Sequence, residues 1–424
     1  MSKVLLISVV YEPDTVSTAG IVAGLARSLR DLGHDVSVLS SIPHYNPPSD
    51  VLADHRYHVN GLPPYRYSVE SGIRVARCFV PQKQQGTLAR ARDFTVLHLT
   101  ATVAALRLFA DSDVAIVVSP PLTLAAIAFL LKAIRGTKVI YNAQELWPDV
   151  PRDLGVITNP LLLRVIAAVE RTIYRRADAV TAIGQRFGEI IAVRGGRADR
   201  VVVIPNFVDT AWISPQPKVN ALSEEWGLTA RPVALYAGNV GLTQDFELVL
   251  AAAALVDVEF VIVGAGAGLA ALTKLVEDRK LPNVQLRPFV GRDRVAELYG
   301  LADVVIVPLG AGHDRTTTPS KIYSAMAAGK PVLACAGNDT DLANELRVSA
   351  AGLSVSPGDV LGFVAALSRL LDLTATGRWR AAAALSSATR HSAGAVAADY
   401  DALIGTLSAG PVKVGADLTS AAWR

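Results

Sequence analysis

Residues 4–39 read VLLISVVYEPDTVSTAGIVAGLARSLRDLGHDVSVL. Val4–Val10 is an apolar run interrupted only by Ser8, the pattern of a strand covered on both faces. Thr18–Leu32 then places Ile21, Leu25, Ala26 and Leu29 on one side of a helix. Gly33 ends that helix and Val36–Leu39 forms the next strand. Strand, helix and strand in this order make a βαβ unit, which builds a parallel sheet.

The alternation continues outward. Val114–Val118, Val139–Tyr141, Ala179–Ile183 and Val201–Ile204 read as strands, with helices at Leu122–Ile134 and Pro160–Arg176. Near Asn206 the pattern restarts with a strand at Val233–Ala237 and a helix around Phe246–Leu255. Further strands follow at Glu259–Val263, Val284–Leu286, Val304–Val307 and Val332–Ala334. The reading is α/β: two doubly wound, Rossmann-like domains, residues 1–205 and 206–408, facing across a cleft, with a tail at 409–424. Ligands of such sheets sit beyond the carboxyl ends of the strands.

The 424-residue length suits two domains, and half of the residues are hydrophobic. Two cysteines, Cys78 and Cys335, exclude a disulfide scaffold and suit a reducing compartment. Met1 runs directly into a strand with no signal-peptide pattern, and the apolar run Leu122–Leu131 is shorter than the roughly 20 residues a bilayer span needs. Residues 1–205 hold 23 Lys and Arg against 17 Asp and Glu, whereas the remainder holds 18 against 21. A basic first half suits either an acidic partner such as a membrane surface or a plain solvated face. Lys83, Arg90, Arg92, Arg171, Arg175 and Arg176 would supply the charge, and Phe94, Leu97 and Leu99 the apolar contact.

Chemistry concentrates in a few strand-following loops. In TTTPSKIYSAMAAGKPV (316–332), Ser320 is expected to cap a helix Lys321–Ala328 that Gly329 ends. Lys321, Arg315 and the hydroxyls of Thr316, Thr317 and Thr318 would join that helix start in a diphosphate cradle. Gly238-Asn239-Val240-Gly241 follows one strand, where glycines admit close backbone approach. Gly264-Ala265-Gly266-Ala267-Gly268 follows another, but its departure from the dinucleotide fingerprint favours a tight turn. Asp111-Ser112-Asp113 precedes its strand and is a turn at the wrong end of the sheet for a site. No His/Cys spacing suits zinc, and no P-loop or nucleophile elbow occurs. Glu145, Trp147 and Asp149, in ELWPD, follow a strand and suit a sugar, with ring face on aromatic and hydroxyls on acids.

Taken in order, YEPDTVSTAG (11–20), GHDVSVLS (33–40), SPP (119–121), ELWPD (145–149), YRRADAVTAI (174–183), VIPNFVD (203–209), YAGNVGLTQ (236–244), PSKIYSAMAAGKPV (319–332) and AGLSVSPGD (351–359) resemble a family 4 glycosyltransferase of the B-type, two-Rossmann-domain fold. The likeness spans about residues 3–375 and is greatest to the bacterial envelope-polysaccharide subgroup, which includes O-antigen N-acetyl-L-fucosaminyltransferases and colanic acid transferases.

The resemblance implies transfer of a hexosyl or N-acetylhexosaminyl unit from a nucleotide-diphosphate sugar to an acceptor hydroxyl, with retention, without metal and without another cofactor. It implies a lipid-linked acceptor at the inner membrane face and a cytoplasmic, peripheral enzyme with no nucleic-acid partner. Carried over, Gly238 and Asn239 lie beside the donor diphosphate, and Ser320 and Lys321 bind phosphate. Phe289 and Val290 frame the base. Glu145 and Asp149 face the cleft, and Ser17, Thr18, Ala19 and Gly20 approach the transferred sugar. The family's paired glutamates fall on Thr316 and Ser324 here, and its Gly-Arg and later Lys on Asn239 and Gln244. Rival readings are a transferase for a soluble natural product, a sugar-nucleotide-binding protein without turnover, and a nicotinamide oxidoreductase using the 264–268 glycines.

Overall fold

The computed structural model describes residues 1–409 apart from 15, 45–53, 55–58, 60–62, 81–86, 154, 211, 315–318 and 380. The chain divides into two α/β units. The first holds residues 1–148, 159–206 and the helix Ala393–Ser408; the second holds 149–158 and 207–392.

In the first unit, β1 (Lys3–Ile7) lies between β2 (Asp35–Ser41) and β5 (Val114–Val118), parallel to both. The full order is β3-β4-β2-β1-β5-β6-β7-β8, completed by β3 (Tyr65–Glu70), β4 (Ile73–Cys78), β6 (Lys138–Ala143), β7 (Ala179–Ala182) and β8 (Val201–Val203). Every residue of β5 is buried, as expected of a strand covered on both faces. Only β3 runs antiparallel, joined to β4 by Ser71 and Gly72, both in the left-handed region. That is the turn geometry whose twist matches a two-residue hairpin.

The second unit has the order β11-β10-β9-β12-β13-β14, all parallel: β9 (Val233–Ala237), β10 (Glu259–Val263), β11 (Val284–Arg287), β12 (Val304–Pro308), β13 (Val332–Cys335) and β14 (Gly352–Val355). The strand order therefore reverses between β9 and β12, which makes the loops beyond their carboxyl ends the expected ligand position.

The sequence-based boundary near 205–206 coincides with the break between Asn206 and Phe207, but helix Ala393–Ser408 belongs to the first unit rather than to the second. A buried polar network explains its return. Asn142 Nδ2 donates to Tyr400 Oη at 2.6 Å and to Thr181 Oγ1 at 3.0 Å, while Asn142 Oδ1 accepts from Gln144 Nε2 at 2.6 Å. Gln144 exchanges two hydrogen bonds with Asn206. The next residue, Asp401, pairs with the buried His34 at 2.9 Å, and the helix packs on helix Ser17–Asp31.

Cys78 and Cys335 are free and buried, and burial pushes both thiols up to about 12. Asp113 accepts from the Lys3 amide and Asp111 pairs with the Lys3 ammonium, so DSD is a turn that fastens the start of β1, as its position implied. No helix among the described residues is long and apolar enough to cross a membrane. The Tyr400→Phe variant should unfold at lower urea concentration, with a loss of about 1–3 kcal/mol from the stranded Asn142 donor. An unchanged denaturation midpoint would remove the network as the anchor of the final helix.

Candidate functional site

Beyond β9, the chain makes the loop 238–245 before Asp245 accepts from Leu248 N and caps helix Phe246–Ala253. This loop is locked from three sides. Gly238 N donates to Val263 O at 2.9 Å, Val240 N to Ala265 O at 2.9 Å, and Gly268 N returns to Val240 O at 2.9 Å. Gly241 N donates to Gln244 Oε1 at 2.9 Å, and Gly310 N to Thr243 O at 2.9 Å. The amides of Gly238, Val240 and Gly241 are therefore spent within the protein.

The 264–268 glycines answer to the same interlock. A Cβ on Gly264 would fall on the Gly238 carbonyl oxygen, and one on Gly266 on the Val240 carbonyl and on Asn239 Oδ1. A Cβ on Gly268 would lie 2.9 Å from Gly241 O. Gly264 and Gly266 also have positive φ, 159° and 154°. These glycines exist to let one backbone press on another, which agrees with the tight-turn reading and leaves the nicotinamide reading without its motif.

Gly238, with φ 147°, faces Lys321 instead: a Cβ there would lie 3.1 Å from Nζ and 3.2 Å from Cε. The Lys321 ammonium stands 3.9 Å from the centroid of the buried Tyr236 ring, and Tyr236 Oη donates to Asn239 O at 2.5 Å. Among the described residues Lys321 has no carboxylate partner and no hydrogen-bond acceptor. Although the residue as a whole is partly accessible, its charged end is crowded by protein atoms, and that desolvation lowers its pKa to about 7. A cation–π contact offsets only part of the lost hydration. The site thus presents a cation that lacks an anion.

The helix behind it differs from the sequence expectation. Helix Lys321–Ala327 starts from Ser320 in helical conformation, and the Ser320 hydroxyl makes no capping bond. With Ser320 already helical, its side chain cannot reach forward to the free amides as an extended N-cap does. Gly329 ends the helix at φ 69° as anticipated. Arg315, Thr316, Thr317 and Thr318 lie outside the described residues. Ser324, at a departure from the family pattern, interacts with the buried Tyr299. Phe289 follows β11 and is 57% exposed, while Val290 packs against the second unit's core. Asn239 is exposed, and Gln244 serves the loop by holding the Gly241 amide.

In the first unit, Ser17, Thr18, Ala19 and Gly20 form the first turn of helix Ser17–Asp31, beyond β1, with Ser17 exposed and Ala19 buried. Glu145 follows β6, and burial raises its pKa. The neighbouring Trp147 indole opposes that rise but is not aligned for a hydrogen bond. The Trp147 ring packs on the first unit's core. Its backbone is strapped down by a residue that sequence reading missed: buried Glu170 accepts from Trp147 N at 2.8 Å and from Tyr174 Oη at 2.8 Å, and pairs with Arg194 at 3.2 Å. The one signal was an acid on the otherwise apolar side of an amphipathic helix. Asp149 is buried, pairs with Arg152 at 3.2 Å and opens the short helix Asp149–Asp153, which groups with the second unit. No group of three or more His, Cys, Asp or Glu that could hold a metal occurs among the described residues.

Gly264→Ala should destabilise the ligand-free chain by about 3 kcal/mol or more, because the displaced atom is backbone. Chemical denaturation measures this. A ligand-free stability equal to that of the parent chain would mean that the glycine serves ligand approach instead.

Residues 19–206 match the family described as Glycosyl transferase 4-like domain, and residues 231–373 the family described as Glycosyl transferases group 1. The chain is 27% identical over 386 residues to WcaI of Escherichia coli (strain K12), named as a colanic acid biosynthesis glycosyl transferase; the alignment covers 87% of this chain and 92% of that one. It is also 27% identical over 268 residues to the 2-deoxystreptamine glucosyltransferase of Streptomyces kanamyceticus, covering 59% and 66%. The fold matches Anabaena HepE, solved with UDP-glucose, at a TM-score of 0.67 and 16% identity over 97% of this chain and 100% of that one. The chain, with two parallel-sheet α/β units and both family segments in order, belongs to the family 4 glycosyltransferases of B-type fold.

Proposed function

We propose that the chain moves a hexosyl or N-acetylhexosaminyl unit from a nucleotide-diphosphate sugar to a hydroxyl of a lipid-linked glycan intermediate in envelope polysaccharide synthesis. Transfer proceeds with retention and without metal, on the cytoplasmic side of the inner membrane. The observation that carries the donor reading is the Lys321 ammonium, desolvated and, among the described residues, unpartnered at the point where strand order reverses. The acceptor reading draws on the likeness to WcaI. The likeness to the 2-deoxystreptamine enzyme supports a second reading, in which the acceptor is a soluble natural product.

Breaking the anomeric C–O bond leaves negative charge on the diphosphate and positive charge on the sugar ring. Lys321 would neutralise the leaving diphosphate in a site already poor in water, where a fixed cation acts strongly. The acceptor oxygen bonds to the anomeric carbon on the face that the diphosphate leaves, and its proton passes to the departing phosphate oxygen. Asn239 would lie beside the diphosphate, with Phe289 and Val290 about the base. Glu145 and Asp149, with the Ser17–Gly20 turn, would face the sugar and acceptor.

Replacing Lys321 with Met removes a charged hydrogen bond worth roughly 1.5–3 kcal/mol, so kcat/KM should fall by about 10- to 100-fold. The pH dependence has a definite sign. In the free protein the lysine loses its proton above about pH 7, whereas a bound diphosphate raises its pKa. Donor affinity is therefore greatest below about pH 7 and weakens as pH rises, with proton uptake on binding. Calorimetry at pH 8 in buffers of different ionisation enthalpy should register that proton in the parent and not in the Met variant. A Met variant with full affinity, full turnover and the same pH profile would remove Lys321 from the donor site.

A further inference from the structure

Helix Pro160–Arg176 carries a stripe that points away from the core of the first unit. Asn159 caps it, its side chain accepting from the amides of Leu161 and Leu162. Leu161 is 68% exposed, Leu162 46%, Val165 52% and Val169 39%. The spacing 161, 165, 168–169 and 172–173 is one helical side. From Val165 onward it forms a wall of an open groove of about 530 Å³, whose other wall includes His98, Leu122, Ala126 and Phe129. The lining is almost wholly apolar. Beside the stripe run Arg164, Arg171, Arg175 and Arg176, all exposed.

The acids of the three helices nearest the groove are turned inward, while Glu189, on the neighbouring helix Gln185–Gly195, is exposed and pairs with Arg186. Helix Pro160–Arg176 has one, Glu170, buried against Tyr174 and Arg194. Helix Ala125–Arg135 has none. In helix Thr87–Leu108 the single acid, Asp93, is buried and pairs with Arg92. Among the described residues, these three helices therefore combine exposed leucine and valine with a row of arginines and no exposed carboxylate. A soluble helix of this kind normally has its apolar stripe covered and its polar side mixed in charge. Exposed apolar residues flanked by arginine fit instead the boundary of an anionic bilayer, the side chains entering the acyl region and the guanidinium groups meeting lipid phosphates.

We propose that this face, the 161–176 stripe and the adjoining 122–129 groove wall, docks the chain on an anionic lipid bilayer. It gives the lipid-linked acceptor reading a specific surface, yet it does not depend on the donor reading, so each can fail alone. Of the basic residues that the sequence singled out, Arg171, Arg175 and Arg176 lie on this face; Lys83 and the Arg90 side chain lie outside the described residues. Leu97 is buried in the core and supplies no outward contact, contrary to the sequence expectation, because it faces the sheet.

The test is sedimentation of the full chain with vesicles of phosphatidylcholine alone or with one-third phosphatidylglycerol. Binding should require the anionic lipid and weaken with salt. The triple change Arg171→Ala, Arg175→Ala, Arg176→Ala should lower it by about 100-fold, near fivefold for each charge. The pair Leu161→Ser, Val165→Ser touches only exposed side chains, so its fold is preserved; it should weaken vesicle binding while leaving nucleotide-sugar binding unchanged. Unaltered binding by both variants, or no binding to anionic vesicles, would overturn the proposal. So would a concentration-dependent dimer that the Ser pair abolishes, since the face would then belong to a second copy. Loss of vesicle binding with nucleotide-sugar binding intact bears on the docking face; the reverse bears on the donor site.

Discussion

The candidate site rests on one close approach of backbone to backbone. Strands β9 and β10 run side by side, and the loops that leave them must cross within van der Waals contact. Glycine at 264, 266 and 268 is what permits this. The crossing consumes the amides that a phosphate loop would otherwise offer and fixes the bare Cα of Gly238 against the Lys321 side chain. Lys321 is then held over the Tyr236 ring with no acceptor among the described residues. Its charge is costly there, and on the proposed reading a bound diphosphate would relieve that cost. On that reading, anion recognition would rely on a desolvated side-chain cation rather than on an amide nest.

Much of the fold was legible because parallel strands buried on both faces write themselves as apolar runs. Val114–Val118, Val233–Ala237 and Glu259–Val263 carry the same bounds in sequence and structure. The hairpin strands Tyr65–Glu70 and Ile73–Cys78 went unread, since β3 is an edge strand with an alternating, half-polar pattern. The Ser71-Gly72 pair between them was the available signal. The return of helix Ala393–Ser408 to the first unit was not legible either. It depends on Asn142 and Tyr400, 258 positions apart, finding each other. Nothing local announces such a partnership.

At the site, Lys321 and Gly238 were readable from their places after β12 and β9, and the structure brings them together. The Ser320 cap was misread because a serine before a helix has the right composition whether or not its backbone is extended. Glu170 was missed for the opposite reason. Its role follows from a buried three-way contact with Trp147, Tyr174 and Arg194 that only packing reveals. The same inward turn of Glu170 leaves the outer face of its helix with arginine alone. Thus one buried carboxylate both fixes the ELWP loop and determines the charge of the surface opposite it.

The most direct test of the central claim is the titration of Lys321 itself. Nuclear magnetic resonance of ζ-labelled lysine, with Lys321→Met used for assignment, follows it with and without a nucleotide-diphosphate sugar. The account predicts one lysine that titrates at about 7 in the free protein and moves up by well over a unit when the donor binds. A Lys321 that titrates near the ordinary lysine value in the free protein, and is unmoved by any nucleotide sugar that binds, would contradict it.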